Sequence, residues 1–484
     1  MANHWIIILE LVLYLGGMLW IGAYFGRKKL TQAEYHLGGR RMKGWVLALS
    51  ERATGESAWL ILGLTGAAYG TGLSELWVIF GCVGGIVVSW LFLARKFREE
   101  SEKYGVITYI DYFAVKFKSH ADFIRWFMSL IIVVFYVIYV YAQFSGGGKI
   151  LYVTFGIVPF WGILISAIIT ILYSTAGGFM AVVWTDAVQA ILMMVTFLVT
   201  PIVALITVIR RGLSISAAMQ GAGDGFGSLT RARTGLGATL LIMGGLSWFF
   251  GYLGGQPPLS IRWMAMKDNR EVKRGMGVAI LWTILAYSGA FLIGICALTL
   301  YGRGAVSDPE QIVPFLLLKL LPVWLTGILL VGAIAAMMST ASSQLLLITT
   351  SICEDIVHKA LKKDLPDCKL VMISRISMVV VGGIGLTLAL TLGKPIFNVV
   401  SWAWAGIGCT FSPVVILAFY WKRFSGAGVV AALTSGFLIT VIWLTTGLDV
   451  TFSAMAASFI ASWSMAVLFS LLFPQRQEDR VWKG

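Results

Sequence analysis

The sequence is poor in charged side chains and in the residue types that build metal centres and catalytic sites. Asp, Glu, Lys and Arg make up 12% of its 484 residues, against roughly 25% in a typical soluble domain. Its four histidines lie far apart, and its five cysteines show neither metal-ligand spacing nor a disulfide framework. These shortages argue against a soluble protein, against an enzyme built in the membrane and against a disulfide-stabilised secreted domain.

Long apolar runs dominate the chain instead. Hydrophobic residues account for 58% of the sequence, in runs of about 20 residues, the length at which a helix crosses a bilayer. Ten-residue segments of alternating polarity, typical of membrane strands, are missing. We therefore predict an all-α polytopic membrane protein with about thirteen transmembrane helices. The predicted helices cover residues 5–26, 43–71, 74–95, 122–152, 158–178, 184–209, 236–258, 274–301, 312–350, 370–391, 396–420, 426–447 and 451–473.

The basic residues predict how these helices are oriented. The net charge of +14 arises in short loops, which is typical of cytoplasmic loops and does not indicate nucleic acid binding. We expect a bacterial-type plasma membrane protein with its N-terminus outside and its C-terminus inside. Arg210, Arg211, Arg231 and Arg233 fall on the outer face, against this rule. The residues assigned to cytoplasmic loops are Arg27, Lys28, Lys29, Arg40, Arg41, Lys43, Arg95, Lys96, Arg98, Lys103, Arg262, Lys267, Arg270, Lys273, Arg274, Lys359, Lys362, Lys363, Lys369, Lys422 and Arg423.

Two segments depart from the pattern of a plain membrane helix. Residues 53–58 combine weak helix formers with a charge, and residues 248–258 contain three glycines and two prolines. Non-helical backbone at membrane depth is tolerated where it is buried in protein or lines a cavity. The two segments lie five helices apart, as expected for inverted repeats that each begin with a broken helix. We expect one transmembrane domain over 1–484, divided into 1–42, a first repeat 43–209, a second repeat 236–420, and a last part 421–484.

Hydroxyl side chains in predicted helix 9 offer a half-site for a small hard cation. Ser339 and Thr340, with the carbonyl of Ala336 one turn earlier, present three neutral oxygens, which suit Na⁺ better than a transition metal. The alternative is that both hydroxyls bond back to their own helix.

Several long motifs resemble the sodium/solute symporter family, and within it the bacterial sodium/proline symporters most closely. They include "SAWLILGLTGAAYGTGLSELW" at 57–77, "GQPPLSIRWMA" at 255–265, "AIAAMMSTASSQLL" at 333–346 and "VSWAWAGIGCTFSPVV" at 400–415. The resemblance implies a LeuT-type fold of five-plus-five inverted repeats with flanking helices. It also implies alternating access and Na⁺-coupled symport of a small organic solute, most closely proline or a related amino acid, rather than enzyme activity.

The same resemblance implies site residues in this sequence. The Na⁺ site would use the carbonyls of Ala53, Glu56 and Ala336 and the hydroxyls of Ser339 and Thr340. Asp186 would lie near the inner ion path, although a water-facing charge at a helix end is an equal alternative. The residues implied for the substrate pocket are Ser57, Tyr139, Trp248, Tyr252 and Pro257.

Three charges in the first broken segment depart from the sodium/proline pattern. Those relatives carry an aspartate at Gly55, an apolar residue at Glu56, and small residues at Glu51 and Arg52; the Gly254-Gly255 stretch is also one residue longer here. One hypothesis is a structural Arg52–Glu56 pair whose carboxylate replaces the missing negative charge. A second is a protonatable Glu56, so that H⁺ assists or replaces Na⁺. A third places Arg52 near the ion site, where it substitutes for the cation.

These hypotheses leave an alternative function open, namely H⁺-coupled or Na⁺-independent transport of another small solute through Glu56 and Arg52. A transporter-like sensor or a channel is less favoured, because neither an output domain nor a repeated filter is visible. The expected partners are the solute, Na⁺ and the lipid bilayer. No organic cofactor, no nucleic acid and no obligate protein partner is expected.

Overall fold

The computed structural model describes residues 4–26, 37–363 and 365–474. Over these residues the chain is helical, and the sole β-type pairing is a bridge between Met42 and Met266. Eleven helices of this part are long and apolar enough to cross a membrane. The prediction of an all-α polytopic membrane protein is therefore confirmed, whereas the predicted count of thirteen is not. Arg27, Lys28 and Lys29, assigned to a cytoplasmic loop, lie outside the described residues.

The helices are numbered here in chain order. Most are α-helical throughout, and π-helical turns interrupt or extend four of them, at Trp59–Leu64, Ser89–Leu93, Ser351–Ala360 and Trp404–Cys409. The α-helices are α1 (His4–Gly26), α2 (Gly44–Gly55), α3 (Thr65–Thr71), α4 (Leu76–Val88), α5 (Ala94–Lys103), α6 (Tyr109–Lys116), α7 (Ala121–Phe155), α8 (Pro159–Arg210), α9 (Ile215–Ala222), α10 (Gly235–Leu246), α11 (Trp248–Tyr252), α12 (Pro257–Met264), α13 (Asn269–Tyr301), α14 (Ile312–Leu320), α15 (Val323–Thr350), α16 (Asp367–Thr391), α17 (Ile396–Ala403), α18 (Thr410–Tyr420), α19 (Gly426–Thr446) and α20 (Ala454–Leu472).

Two junctions explain why fewer spans are found than predicted. The predicted helices 43–71 and 74–95 meet at a tight turn in which Gly72 has φ 71°, so the helical, apolar stretch from Trp59 to Lys103 is nearly unbroken. The predicted helices 158–178 and 184–209 are two helices joined within α8 by a sharp kink at Gly178, with φ 62° and ψ −168°, and of the two only Gly178–Arg210 is long and apolar enough to span a membrane. Glycine tolerates these positive φ angles without the steric cost that a side chain adds.

The predicted single helix 312–350 is wrong, because the structure divides it into α14 and α15. Leu321 adopts extended backbone, with φ −114° and ψ 152°, directly before Pro322. A proline disfavours helical geometry in the residue that precedes it and cannot donate a helical hydrogen bond. Pro322 therefore ends one helix and caps the start of the next.

The two predicted breaks are both present, but they differ in extent. The first is a bend at Glu56, with φ −103° and ψ 9°, followed by the π-helical turns. The second leaves four residues, 253–256, outside any helix between α11 and α12, with Gly254 at φ 77°. The first break is therefore a local bend in a nearly continuous helix, and the second is a true interruption.

The carbonyls released by the second break are taken by side-chain hydroxyls. Ser89 donates to the carbonyl of Tyr252 at 2.6 Å, and both Tyr109 and Ser260 donate to that of Gly254, at 3.1 and 3.0 Å. Buried carbonyls need such partners. The second break is thus tied to its surroundings from two sides.

The first break lies in the middle of the helix packing. Helix α2 packs against α8, α13 and α15, and α8 in turn packs along α15. The close approach of α8 and α15 depends on Gly332, because a Cβ atom there would lie 2.2 Å from Oγ1 of Thr196. Small residues allow such approaches between membrane helices, and the approach brings the hydroxyls of α15 against the end of α2.

Candidate functional site

The end of α2 meets the hydroxyl-bearing face of α15. Ser339 donates through Oγ to the carbonyls of Ala53 and Ala336, at 2.9 and 3.0 Å. Thr340 donates through Oγ1 to the carbonyls of Thr54 and Ala336, at 3.0 and 3.1 Å. Both hydroxyls therefore bond back to their own helix, as the structural alternative predicted, and also reach across to α2. Five neutral oxygens converge at this point, a donor set that suits a hard monovalent cation.

The structure brings together four of the five residues predicted for the Na⁺ site and adds one. The carbonyl of Glu56 accepts the amide of Leu60 at 3.3 Å rather than a hydroxyl of α15, while the carbonyl of Thr54 takes part. The last four carbonyls of a helix lack partners within it. Since α2 ends at Gly55, that rule could have identified Thr54 from a correct helix boundary.

The three charges near the bend form one buried cluster. Arg52 makes a two-pronged contact with the carboxylate of Glu51, of which the Nε–Oε2 arm is 2.5 Å. Its Nη1 lies 2.7 Å from Oε1 of Glu56 and 3.4 Å from the hydroxyl of Thr283. All three charged side chains are at most 1% exposed. When both carboxyls are ionised, the cluster of two anions and one cation retains one negative charge.

The second oxygen of the Glu56 carboxylate faces two tyrosines, one of which is the predicted substrate residue Tyr252. Its Oε2 accepts the hydroxyl of Tyr287 at 2.6 Å and that of Tyr252 at 3.4 Å. The two tyrosine hydroxyls are 2.9 Å apart. Glu56 therefore connects the cluster of charged side chains on one side to an aromatic group on the other. Tyr287 belongs to this aromatic group and was not identified from the sequence.

Aromatic side chains from four helices surround this point. The hydroxyl of Ser57 lies 3.1 Å from that of Tyr139. The rings of Tyr252 and Trp404 are 4.1 Å apart, and those of Trp59 and Trp248 are 4.4 Å apart. Such walls pack an apolar solute body while polar groups orient it. Four of the five predicted substrate residues thus lie in one neighbourhood.

The fifth predicted substrate residue, Pro257, lies beyond the second break. It is the first residue of α12 and is buried. Proline is well suited to that position, because its missing N–H would have no helical partner there. Its immediate effect is to fix the start of α12.

The amides after the bend are held by side chains. Oε1 of Gln143 accepts the amide of Ala58 at 3.0 Å, and Oγ of Ser57 accepts that of Trp59 at 3.0 Å. Gln143 was not identified from the sequence. These bonds fix the orientation of the backbone that follows Glu56.

Asp186 is buried in the middle of α8 and pairs with an arginine. Its Oδ2 accepts Nη2 of Arg262 and Oγ of Ser50, both at 2.8 Å, and it also lies 3.2 Å from Oγ1 of Thr54 and 3.3 Å from Oγ of Ser343. The alternative of a water-facing charge at a helix end is therefore wrong. Because Thr54 also contributes its carbonyl to the hydroxyl site, Asp186 lies one residue from that site.

The placement of Arg262 in a cytoplasmic loop is also wrong. The side chain is 2% exposed and lies within α12, where it pairs with Asp186. A buried arginine requires a carboxylate partner of this kind. The apolar residues on both sides, in "SIRWMAM", are the sequence signal that separates it from the basic loops.

A cavity of about 350 Å³ opens above the aromatic group. Trp248 and Phe397 form part of its wall, and their ring centroids are 5.8 Å apart. Two charged residues at the cavity, Arg231 and Glu75, form a pair at 2.6 Å. This pair gives Arg231, one of the arginines that contradicted the charge rule, a local partner. The cavity therefore reaches the aromatic group at the ring of Trp248.

A second charged group ties helices together away from the site. Asp111 of α6 accepts Nη2 of Arg125 at 2.5 Å and Nζ of Lys359 at 2.7 Å. Nearby, Thr108 donates to Asp355 at 2.8 Å. Burial opposes ionisation of Asp111, but Lys359 and Arg125 together outweigh it and hold its pKa below the ordinary value. The group joins α6, α7 and the π-helical extension of α15.

The chain is similar to known membrane transporters along most of its length. Residues 35–436 match the model of the sodium:solute symporter family. The chain is 33% identical over 448 residues to sodium/proline symporter 2 of Staphylococcus saprophyticus, covering 91% of this chain and 86% of that protein. It is 33% identical over 467 residues to the high-affinity proline transporter PutP of Bacillus subtilis, covering 96% and 97%.

A solved structure supports the arrangement of the helices. A Na⁺-coupled sialic acid symporter in a substrate-bound outward-open state matches with a TM-score of 0.80 at 20% identity, covering 98% of this chain and 99% of that chain. At this identity the likeness concerns the fold alone. It confirms the predicted LeuT-type fold.

Proposed function

The chain belongs to the sodium:solute symporter family, and we propose that it carries proline or a closely related amino acid. It is a Na⁺-coupled solute symporter of the membrane, and it is not an enzyme. The names of two relatives, a sodium/proline symporter and a high-affinity proline transporter, support this choice of solute. The aromatic group beside Ser57 and Tyr139 supports it as well, because it can pack a small apolar ring.

The observation that carries the proposal is the meeting of α15 hydroxyls with α2 carbonyls. Ser339 and Thr340 would bind the co-transported Na⁺ together with the carbonyls of Ala53 and Ala336. The carbonyl of Thr54 is the fifth oxygen, in place of the carbonyl of Glu56. Binding oxygens from two helices would make Na⁺ a bridge between α2 and α15, so that loading of the cation favours their close packing.

The charge cluster would set the electrostatic field of this site. The Arg52 guanidinium bonds Glu51, Glu56 and Thr283, none of which supplies an oxygen to the hydroxyl site. This arrangement favours a structural Arg52–Glu56 pair over an arginine that substitutes for the cation. Glu56 would then supply the negative charge that related chains carry one residue earlier.

A second candidate function is supported by the tyrosines around Glu56. Hydroxyls of Tyr252 and Tyr287 lie within hydrogen-bond distance of its carboxylate, and a buried carboxyl with such partners can hold or release a proton. Proton-assisted symport would use this group, with Asp186 as a further acidic residue on the ion path.

The remaining assignments belong to the same proposal. The protein would lie in a bacterial plasma membrane with its N-terminus outside, and it would need neither an organic cofactor nor an obligate protein partner. Residues 43–209 and 236–420 would form the two inverted repeats, each opening with one of the two breaks, with 1–42 and 421–484 as flanking parts.

The test is uptake of labelled L-proline into proteoliposomes under an inward Na⁺ gradient. We expect accumulation above equilibrium that collapses when the gradient is dissipated. The double variant Ser339→Ala with Thr340→Ala should lose Na⁺ stimulation. The matched control is Ser342→Ala with Thr349→Ala, two buried hydroxyls of the same helix that bond only to carbonyls of that helix. Unchanged Na⁺ dependence in the first double variant would refute the site.

A further inference from the structure

Trp59 lies directly behind the aromatic wall of the 350 Å³ cavity. It is the first residue of the π-helical turns after the bend, and it is 1% exposed. Its ring centroid is 4.4 Å from that of Trp248 and 6.1 Å from that of Phe397, the two aromatic residues that line the cavity. A solute that enters through the cavity therefore meets Trp59 once these two rings move apart.

The indole N–H of Trp59 is a buried donor without a partner. An indole can only donate, and Nε1 of Trp59 finds no acceptor among the residues that the structure describes. Leaving a buried donor unpaired costs stability, and each such group calls for an explanation. Five other indoles of the described chain do have acceptors: Trp77, Trp90, Trp282, Trp404 and Trp443.

In the described residues one further indole, that of Trp263, has a fully buried Nε1 atom without a partner, and its surroundings differ. Trp263 is also 1% exposed, with no acceptor for Nε1. Its ring packs against Trp90 and Phe97, at 5.8 and 5.7 Å, and it does not line the 350 Å³ cavity. Trp263 therefore provides a comparison for the loss of an unpaired indole N–H away from the cavity.

The groups around Trp59 indicate what its N–H would bind. Hydrogen bonds to an ionised acceptor are stronger than those between neutral groups, most of all in a buried apolar setting. On another side of Trp59 lies the ring of Tyr287, at 6.0 Å, whose hydroxyl donates to Glu56 at 2.6 Å. The carboxylate of Glu56 and the unpaired N–H of Trp59 thus flank the same aromatic group. Recognition of a zwitterion requires both a negative group and a donor of this kind.

We propose that the Trp59 indole N–H donates to the carboxylate of the transported solute, so that the site selects solutes with a carboxylate group. The apolar body of the solute then packs between Trp248 and Phe397, and its ammonium group lies toward Glu56. This inference rests on the proposed amino-acid uptake, since it assigns one contact within that same site.

The test compares L-proline with L-prolinamide, which lacks the carboxylate, as competitors of labelled L-proline uptake in proteoliposomes. Trp59→Phe keeps a ring and removes the N–H. We expect it to raise the KM for proline by about tenfold, the effect of one hydrogen bond to a charged group. Discrimination against the amide should weaken by a smaller factor, because the amide carbonyl also accepts an N–H, in a weaker bond than the ionised carboxylate forms. Trp263→Phe should change both values by less than about twofold, since Trp263 lies away from the cavity.

A second variant separates this role from a packing role. Trp59→His retains a ring N–H and should keep more of the discrimination than Trp59→Phe. Proline uptake by the parent together with unchanged discrimination in Trp59→Phe would overturn this inference alone. If the parent takes up only solutes without a carboxylate, this inference and the proline proposal fall together. If it takes up a different carboxylate solute, the proline proposal fails. The same competition experiment with that solute and its amide then tests the role of Trp59.

Discussion

The buried pair between Arg52 and Glu56 allows a measurement of what burial does to a salt bridge, because the chain carries a matched exposed pair. Arg52 and Glu56 are four residues apart, 2.7 Å between nitrogen and oxygen, with side chains at most 1% exposed. Arg95 and Glu99 have the same spacing and the same 2.7 Å distance, but their side chains are 64% and 39% exposed. The two pairs differ in their contact with solvent and in the second carboxylate, that of Glu51, which Arg52 also binds.

The expected effects differ by several kcal/mol. Arg52→Gln leaves Glu51 and Glu56 buried without their cation, and removing one partner of a buried pair costs about 3–5 kcal/mol. Arg95→Gln removes an exposed helical pair worth about 0.3–0.5 kcal/mol. Since folded proteins are stable by only about 5–15 kcal/mol, Arg52→Gln should remove a large share of the stability and Arg95→Gln almost none.

The assay is equilibrium unfolding of the purified protein in mixed detergent micelles, followed by tryptophan fluorescence at constant pH. Adding Glu56→Gln to Arg52→Gln should recover part of the lost free energy of unfolding, because it removes a charge that has lost its partner. Added salt should reduce the small effect at Arg95 and leave the effect at Arg52 largely unchanged. The reasoning would be contradicted if Arg52→Gln and Arg95→Gln lost equal free energy of unfolding. It would also be contradicted if adding Glu56→Gln to Arg52→Gln recovered none of that free energy.

Three further predictions concern the ion, the backbone and acid stability. Glu56→Gln should raise the Na⁺ concentration for half-maximal uptake by about tenfold, equivalent to roughly 1.4 kcal/mol; loss of pH-dependent uptake instead would favour the proton-assisted function. Gly72→Ala should cost about 1–3 kcal/mol of unfolding free energy, because its Cβ atom would lie 2.2 Å from the carbonyl oxygen of Phe226, whereas Gly84→Ala meets only ordinary contacts. The pKa of Asp111 is lowered in the folded protein, so its ionised carboxyl stabilises the fold above about pH 4. This contribution is lost as the pH falls through the lowered pKa. Asp111→Asn should therefore destabilise at pH 7 and lose less stability than the parent as the pH is lowered into the range below about 4; an equal acid loss in both proteins would contradict this role.

The sequence predicted the helical architecture because its signals are local. Apolar runs of membrane-spanning length, and the glycines and prolines of residues 248–258, are read directly from neighbouring residues. Where errors arose, the competing signal was local too. The prediction of one helix over 312–350 gave more weight to the long apolar run than to Pro322 within it. In the protein, Pro322 decides the backbone of Leu321 and ends the helix.

The contacts of the site depend on how distant segments pack, which one sequence does not contain. Spacing predicted that Arg52 and Glu56 would be neighbours, but not that Glu51 would take two of the arginine's nitrogens. Arg262 was misassigned because a buried arginine and a loop arginine look alike until Asp186 is known to lie beside it. Ser339 and Thr340, which the sequence offered as hydroxyls on one face of a helix, contact the carbonyls of α2 in the structure.

With both carboxyls ionised, the one surplus negative charge of the Glu51–Arg52–Glu56 cluster has an electrical consequence. A zwitterionic solute adds no net charge and one Na⁺ adds one positive charge, so the loaded cluster is neutral while the empty cluster is an anion. A transmembrane voltage acts on moving charge at about 2.3 kcal/mol per elementary charge per 100 mV. The voltage should therefore act on the return of the empty carrier more than on its loaded crossing, and an inside-negative potential would drive that anionic site back toward the outer face.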